Sequence, residues 1–94
     1  MASSRSSGII NADTLLWTGA NRVNALTVIT DGTNAATVDL RDGTTVSGTI
    51  KIEGKCVGAS LTNHYIFENP VYFENGIFID VTGIGASCIV YFGG

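Results

Sequence analysis

The chain has 94 residues, net charge −3 at neutral pH, 45% apolar and 14% charged residues. That length allows one domain with one core, and the charged fraction falls well below the ~25% of an ordinary soluble domain. Five basic residues, Arg5, Arg22, Arg41, Lys51 and Lys55, are scattered and mostly adjoin acids, which excludes the clustered cationic surface that nucleic acid requires.

Residues 1–8, MASSRSSG, are small and polar and are expected to form a flexible arm ahead of a single domain over 9–94. They hold no apolar core of a signal peptide, and no apolar run approaches the ~20 residues that span a bilayer. The expectation is a chain made in a cytoplasm. Leu15-Leu16-Trp17 reads as a short strand or edge segment. Residues 24–30 are rich in β-formers and stop at Asp31-Gly32; residues 36–41 alternate and stop at Asp42-Gly43. In Thr49-Ile50-Lys51-Ile52-Glu53 the isoleucines alternate with charges, a period-two strand. Gly54 and Gly58 suggest a bulge or bend. Residues 64–67 and 71–73 are strands separated by Asn69-Pro70. The chain closes with Asn75-Gly76, an alternating strand over 77–82, a glycine-rich turn and the apolar run Cys88-Ile89-Val90-Tyr91-Phe92. No window has apolar residues at i, i+3, i+4 and i+7, so no substantial helix is expected. Seven or eight short strands with twelve glycines predict an antiparallel β-sandwich or jelly-roll-like domain.

Candidate chemistry is sparse. His64 is the sole histidine, and neither a G-x-S-x-G elbow nor a cysteine nucleophile motif accompanies it. Three scattered Cys and His residues do not supply the close ligand pairs of a zinc site. Asp31, Asn34, Asp39 and Asp42 do not have EF-hand spacing, and Asp before Gly is explained by turn preference. Glu68 and Glu74 flank an aromatic cluster without a cleft to act in. No catalytic residue, cofactor or metal is therefore expected. Cys56 and Cys88 are open between one disulfide and two buried thiols, and buried thiols are favoured in a chain without a secretion signal.

The last two strands carry the main functional signal. A hairpin centred on Ile84-Gly85 would pair Val81 with Cys88, Ile79 with Val90 and Ile77 with Phe92, giving one apolar face. Its other face would carry Phe78 against Tyr91 and Asp80 against Ile89, and a two-residue Asn75-Gly76 turn would add Phe73 beside Phe78. A sandwich buries one face of each sheet, so the second needs another cover. Either the segment with Leu15, Leu16 and Trp17 or a neighbouring subunit could supply it. Trp17, Phe73, Phe78, Ile89 and Tyr91 are the expected interface.

The stretches DLRDGTTVSGT (39–49) and FENPVYFENGIFIDVTGIGASCIVYF (67–92) resemble small all-β structural proteins of tailed-bacteriophage virions. The likeness rests on Leu40-Arg41-Asp42-Gly43, Pro70, Asn75-Gly76-Ile77, Ile79, Val81, Gly83 and Val90-Tyr91, and covers roughly residues 20–92. It implies a capsid decoration or cement protein, a homo-oligomer with a trimer as the expected order. Its partner would be the major capsid protein or another virion protein, on the capsid surface, with no nucleic acid or membrane bound. A neck, tail or baseplate component is the nearest variant. A carbohydrate- or receptor-binding module using Tyr65, Tyr72 and Trp17 as a stacking platform is the rival class.

Overall fold

The computed structural model describes residues 4–93; of the expected arm, residues 1–3 lie outside that range. Eight strands form two four-stranded antiparallel sheets: β1 (Arg5–Ser6), β2 (Thr14–Thr18), β3 (Asn21–Ile29), β4 (Ala36–Asp42), β5 (Thr49–Cys56), β6 (Thr62–Phe73), β7 (Gly76–Thr82) and β8 (Ser87–Phe92). One sheet has the order β1-β8-β3-β6 and the other β2-β7-β4-β5. This is the double Greek key of a jelly roll. No helix occurs among the described residues, nor any helix able to cross a membrane.

The topology has a simple description. β4 pairs with β5, β3 with β6, β2 with β7 and β1 with β8. Partner numbers add to 92 for Leu40 and Ile52, 91 for Val28 and Asn63, 93 for Thr14 and Ile79, and 97 for Arg5 and Phe92. The chain is thus one long hairpin turning near residues 45 and 46, with small drifts at bulges, rolled until β8 also meets β3 and β7 meets β4.

Alternation explains the core. Val23, Leu26 and Val28 of β3 and Cys88, Val90 and Phe92 of β8 point inward from one sheet. Ala36, Val38 and Leu40 of β4 and Ile77 and Ile79 of β7 meet them from the other. The expected pairing of β7 with β8 is not formed. These strands lie in opposite sheets, so Ile77, Ile79, Val90 and Phe92 share the core by facing each other across it. The Asn75-Gly76 connection likewise crosses between sheets. Gly76 has no positive φ and serves close packing instead: a Cβ there would stand 2.7 Å from the Gly43 carbonyl oxygen and 2.8 Å from that of Trp17.

The two sheets are tied at one open side by Tyr65 of β6. Its Oη accepts from the Lys55 N–H of β5 at 2.9 Å and donates to the Lys55 carbonyl at 2.9 Å. Asn63 Nδ2 also donates to that carbonyl, at 2.8 Å. Gly54 makes the approach possible, since a Cβ at this position would lie 2.7 Å from Leu26 Cδ2. On β6, pairing steps from Ile66 opposite Ala25 to Val71 opposite Val23. Phe67 to Pro70 bulge from the ladder there, where the missing Pro70 N–H costs no hydrogen bond. Arg5–Ser6, within the expected arm, pair with Phe92 and Tyr91 and cover the free edge of β8.

Candidate functional site: the two outer sheet faces

The residues expected to form one partner surface are dispersed. Phe73 is fully buried, because β6 turns it inward opposite Asn21 into the core between the sheets. Phe78 lies on the outer face of the β2-β7-β4-β5 sheet, in register with Leu15 and Arg41. Trp17 is half-buried at the sandwich edge, its ring 5.9 Å from that of Phe92, with the Arg5 guanidinium 5.6 Å above it. Ile89 and Tyr91 alone come together, on the outer face of the β1-β8-β3-β6 sheet. The single Phe73-Phe78-Ile89-Tyr91 face is not formed, since it assumed a β7–β8 ladder.

The outer face holding Ile89 and Tyr91 is built from three cross-strand rows. Thr62, Ile29 and Ser87 form the first; His64, Thr27 and Ile89 the second; Ile66, Ala25 and Tyr91 the third. Asp, Glu, Lys and Arg are absent from all three. Ile66 is 75% exposed, the most of any large apolar residue on this sheet. His64 meets Tyr91 edge to face at 6.2 Å, and its Nδ1 lies 2.5 Å from Thr27 Oγ1. Small Ala25 leaves a shallow trough of about 440 Å³ bounded by Asn24, His64, Ile66, Phe67 and Tyr91. Arg22, stacked on Tyr72 at 5.6 Å, stands beyond the bulge at the end of this face.

Opposite in character is the outer face of the β2-β7-β4-β5 sheet. Asp80, Asp39 and Glu53 stand side by side on β7, β4 and β5. Arg41 binds Asp80 Oδ2 through Nε at 3.3 Å and Nη2 at 3.1 Å, and donates Nη1 to the Gly48 carbonyl at 3.0 Å. It reaches Asp39 only at 4.0 Å. Lys55 pairs with Glu53 at 3.5 Å across exposed side chains. Asp39 Oδ1 is buried without a hydrogen-bond partner. Burial first, and then the neighbouring Glu53 and Asp80 carboxylates, push the Asp39 carboxyl above its usual range, outweighing the attraction of Arg41.

The remaining candidates have structural tasks. Asp31 Oδ1 accepts from the N–H groups of Thr33 and Asn34, both at 2.8 Å, and Oδ2 accepts from Asn34 Nδ2 at 2.9 Å. These donors, Asn34's first, hold its carboxyl below the usual range. Asp42 ties the end of β4 to the β6–β7 turn, accepting from the N–H groups of Asn75 at 2.8 Å and Glu74 at 3.1 Å. Burial works to raise the Asp42 carboxyl, but those N–H groups and Lys51 outweigh it and hold it low. Cys56 and Cys88 are free, buried thiols, and burial pushes that of Cys88 up to about 12. No group of three metal-ligating side chains is gathered among the described residues. Tyr65 at the sheet seam, Tyr72 beside Arg22 and Trp17 against Phe92 do not share a platform.

No family model, curated protein or solved structure matches the chain. Sequence reading missed Ala25 and Ile66. Ile66 was already marked by alternation, since it lies between Tyr65 and Phe67, both of which pack toward the core.

Proposed function

We propose that this chain is a non-enzymatic structural subunit of a bacteriophage virion, a decoration protein that binds the outer capsid surface and stabilises it. The observation carrying this reading is the outer face of the β1-β8-β3-β6 sheet, three strands wide and free of formal charge, with Ile66, Ile89 and Tyr91 on it. Such a face fits another protein surface far better than a small polar substrate. The jelly roll supports the reading by analogy, being recurrent among viral shell domains. The sequence resemblance points the same way. A decoration protein works through many weak bonds repeated over a lattice, so contacts of modest area between subunits suffice.

The test is to purify virions by density gradient from the source of this chain, identify their proteins by mass spectrometry and label them with gold-tagged antibody. The expected result is peptides of this chain in the particle and gold over the heads. Gold confined to necks, tails or baseplates would reassign it within the virion. Particles lacking the chain would overturn the proposal.

A further inference from the structure

The face described above contains both halves of an interface. Ile66 projects from β6 with three quarters of its surface exposed, and the trough over Ala25 lies immediately beside it. We infer that this face is covered by the same face of a second copy of the chain, related by a two-fold axis. In such a pair Ile66 of each copy enters the trough of the other, between Tyr91 and His64.

A projection and a recess side by side on one face match an isologous pair, in which residue i meets j and j meets i. A ring of three would need them on different faces. Charge agrees. An uncharged surface meets its own copy without like-charge contact, and these three rows hold no Asp, Glu, Lys or Arg. The opposite outer face would set Asp39, Asp80 and Glu53 against their own copies, and like charges brought together disfavour association. A strongly charged partner is equally ill suited to the Ile66 face, since no side chain in the rows would answer its charge.

Size sets the strength. Strands stand about 4.8 Å apart and outward residues about 7 Å apart along a strand, so three rows on three strands cover a few hundred Å² per copy. That is below the ~800 Å² per partner of a standard interface, so the pair is a weak one that forms and dissociates reversibly. This deepens the structural-subunit reading and rests on it for its biological setting, but the pair forms from purified chain alone.

The experiment is sedimentation velocity on the purified chain between about 1 and 100 µM, a range bracketing micromolar association, with circular dichroism to verify each fold. Wild type should pass from monomer to dimer over that range. Ile66→Asp should weaken dimerisation at least tenfold while keeping its β spectrum, because the side chain is mostly in water in the monomer. Ala25→Leu, which fills the trough, should do the same by a second route. Leu15→Asp, on the opposite sheet face, should dimerise like wild type. A wild type monomeric throughout, a trimer, or an Ile66→Asp protein that dimerises normally would overturn the inference. Loss of the dimer in Leu15→Asp alone would move the contact to the other face and overturn it equally. A dimer from a chain absent from virions would leave the pairing intact and remove the proposed setting; a monomer found in virions would do the reverse.

Discussion

The two outer faces of the sandwich spring from equally regular strands, yet they satisfy their side chains differently. On the β2-β7-β4-β5 sheet, Arg41 reaches across to Asp80 and back to Gly48, and Lys55 answers Glu53, so most of the polar surface is paired within the chain. Asp39 is the exception, an acid between acids with one oxygen unpaired. On the β1-β8-β3-β6 sheet the three outward rows hold no formal charge, and the exposed isoleucine and shallow trough are left unmatched by the fold itself. Alternation produces both faces. What separates them is whether the side chains of a cross-strand row complement one another or need a complement from elsewhere.

That contrast is tested most severely at Arg41. Replacing it with Met should remove the cation that neutralises the largely buried Asp80 and cost about 2–3 kcal/mol at pH 7, a fall in Tm of roughly 10–15 °C in thermal denaturation for a domain of this size. A loss no greater than that of an exposed ion pair would mean that this face does not depend on internal pairing.

Asp39→Asn should have a smaller effect of opposite sign. The folded-state pKa of Asp39 is raised above 3.8, so the native state holds this proton more tightly than the unfolded chain. The favourable contribution is complete below about 3.8, is lost as pH rises through the folded-state value, and leaves an uncompensated anion at neutrality. Asparagine, neutral at every pH, should therefore stabilise the protein at pH 7 by about 1 kcal/mol, the size of one hydrogen bond. The two proteins should converge as the pH falls below the carboxylate range. Asp31 and Asp42 are shifted downward and act in the reverse sense, but they are common to both proteins and cancel in the difference. Urea titration across pH reads the result, and a destabilised variant at pH 7 would show that Arg41 compensates Asp39 after all.

Smallest is the effect of Ile66→Asp on the fold. Well below the dimer range, urea unfolding of this variant should match wild type within ~0.5 kcal/mol, as for an ordinary exposed site. A larger loss would mean that Ile66 serves the monomer's own packing.

Period-two reading placed Ile77, Ile79, Val90 and Phe92 in the core because the side of a strand a residue occupies follows from its own chain. Strand neighbours do not. A glycine turn between β7 and β8 is compatible with a ladder in one sheet or with an arch between two, and the residue types are the same in both cases. Choosing the ladder put Phe73 and Phe78 on a shared surface, whereas one is core and the other outer. Leu15-Leu16-Trp17 was legible as an edge strand, but not the bulge between Leu15 and Trp17 that leaves Leu15 outward and Trp17 against Phe92. Asp42 was readable as a turn residue. Its bonds to the Glu74 and Asn75 N–H groups were not, because they join segments brought near only by rolling.

That rolled hairpin also governs when the domain can form. β8 occupies the middle of its sheet, between β1 and β3, so the sheet is interrupted until Ser87–Phe92 has left the ribosome. Before that point β4 can pair with β5 and β7, and β3 with β6, but the edges of β1 and β3 that β8 fills stay bare. Because its ladders join residues far apart along the chain, loop entropy is lost before contacts repay it, and refolding belongs to the millisecond-to-second regime of non-local β proteins. The interval in which those edges stand open is when the chain is most prone to pair with a neighbour instead of with itself.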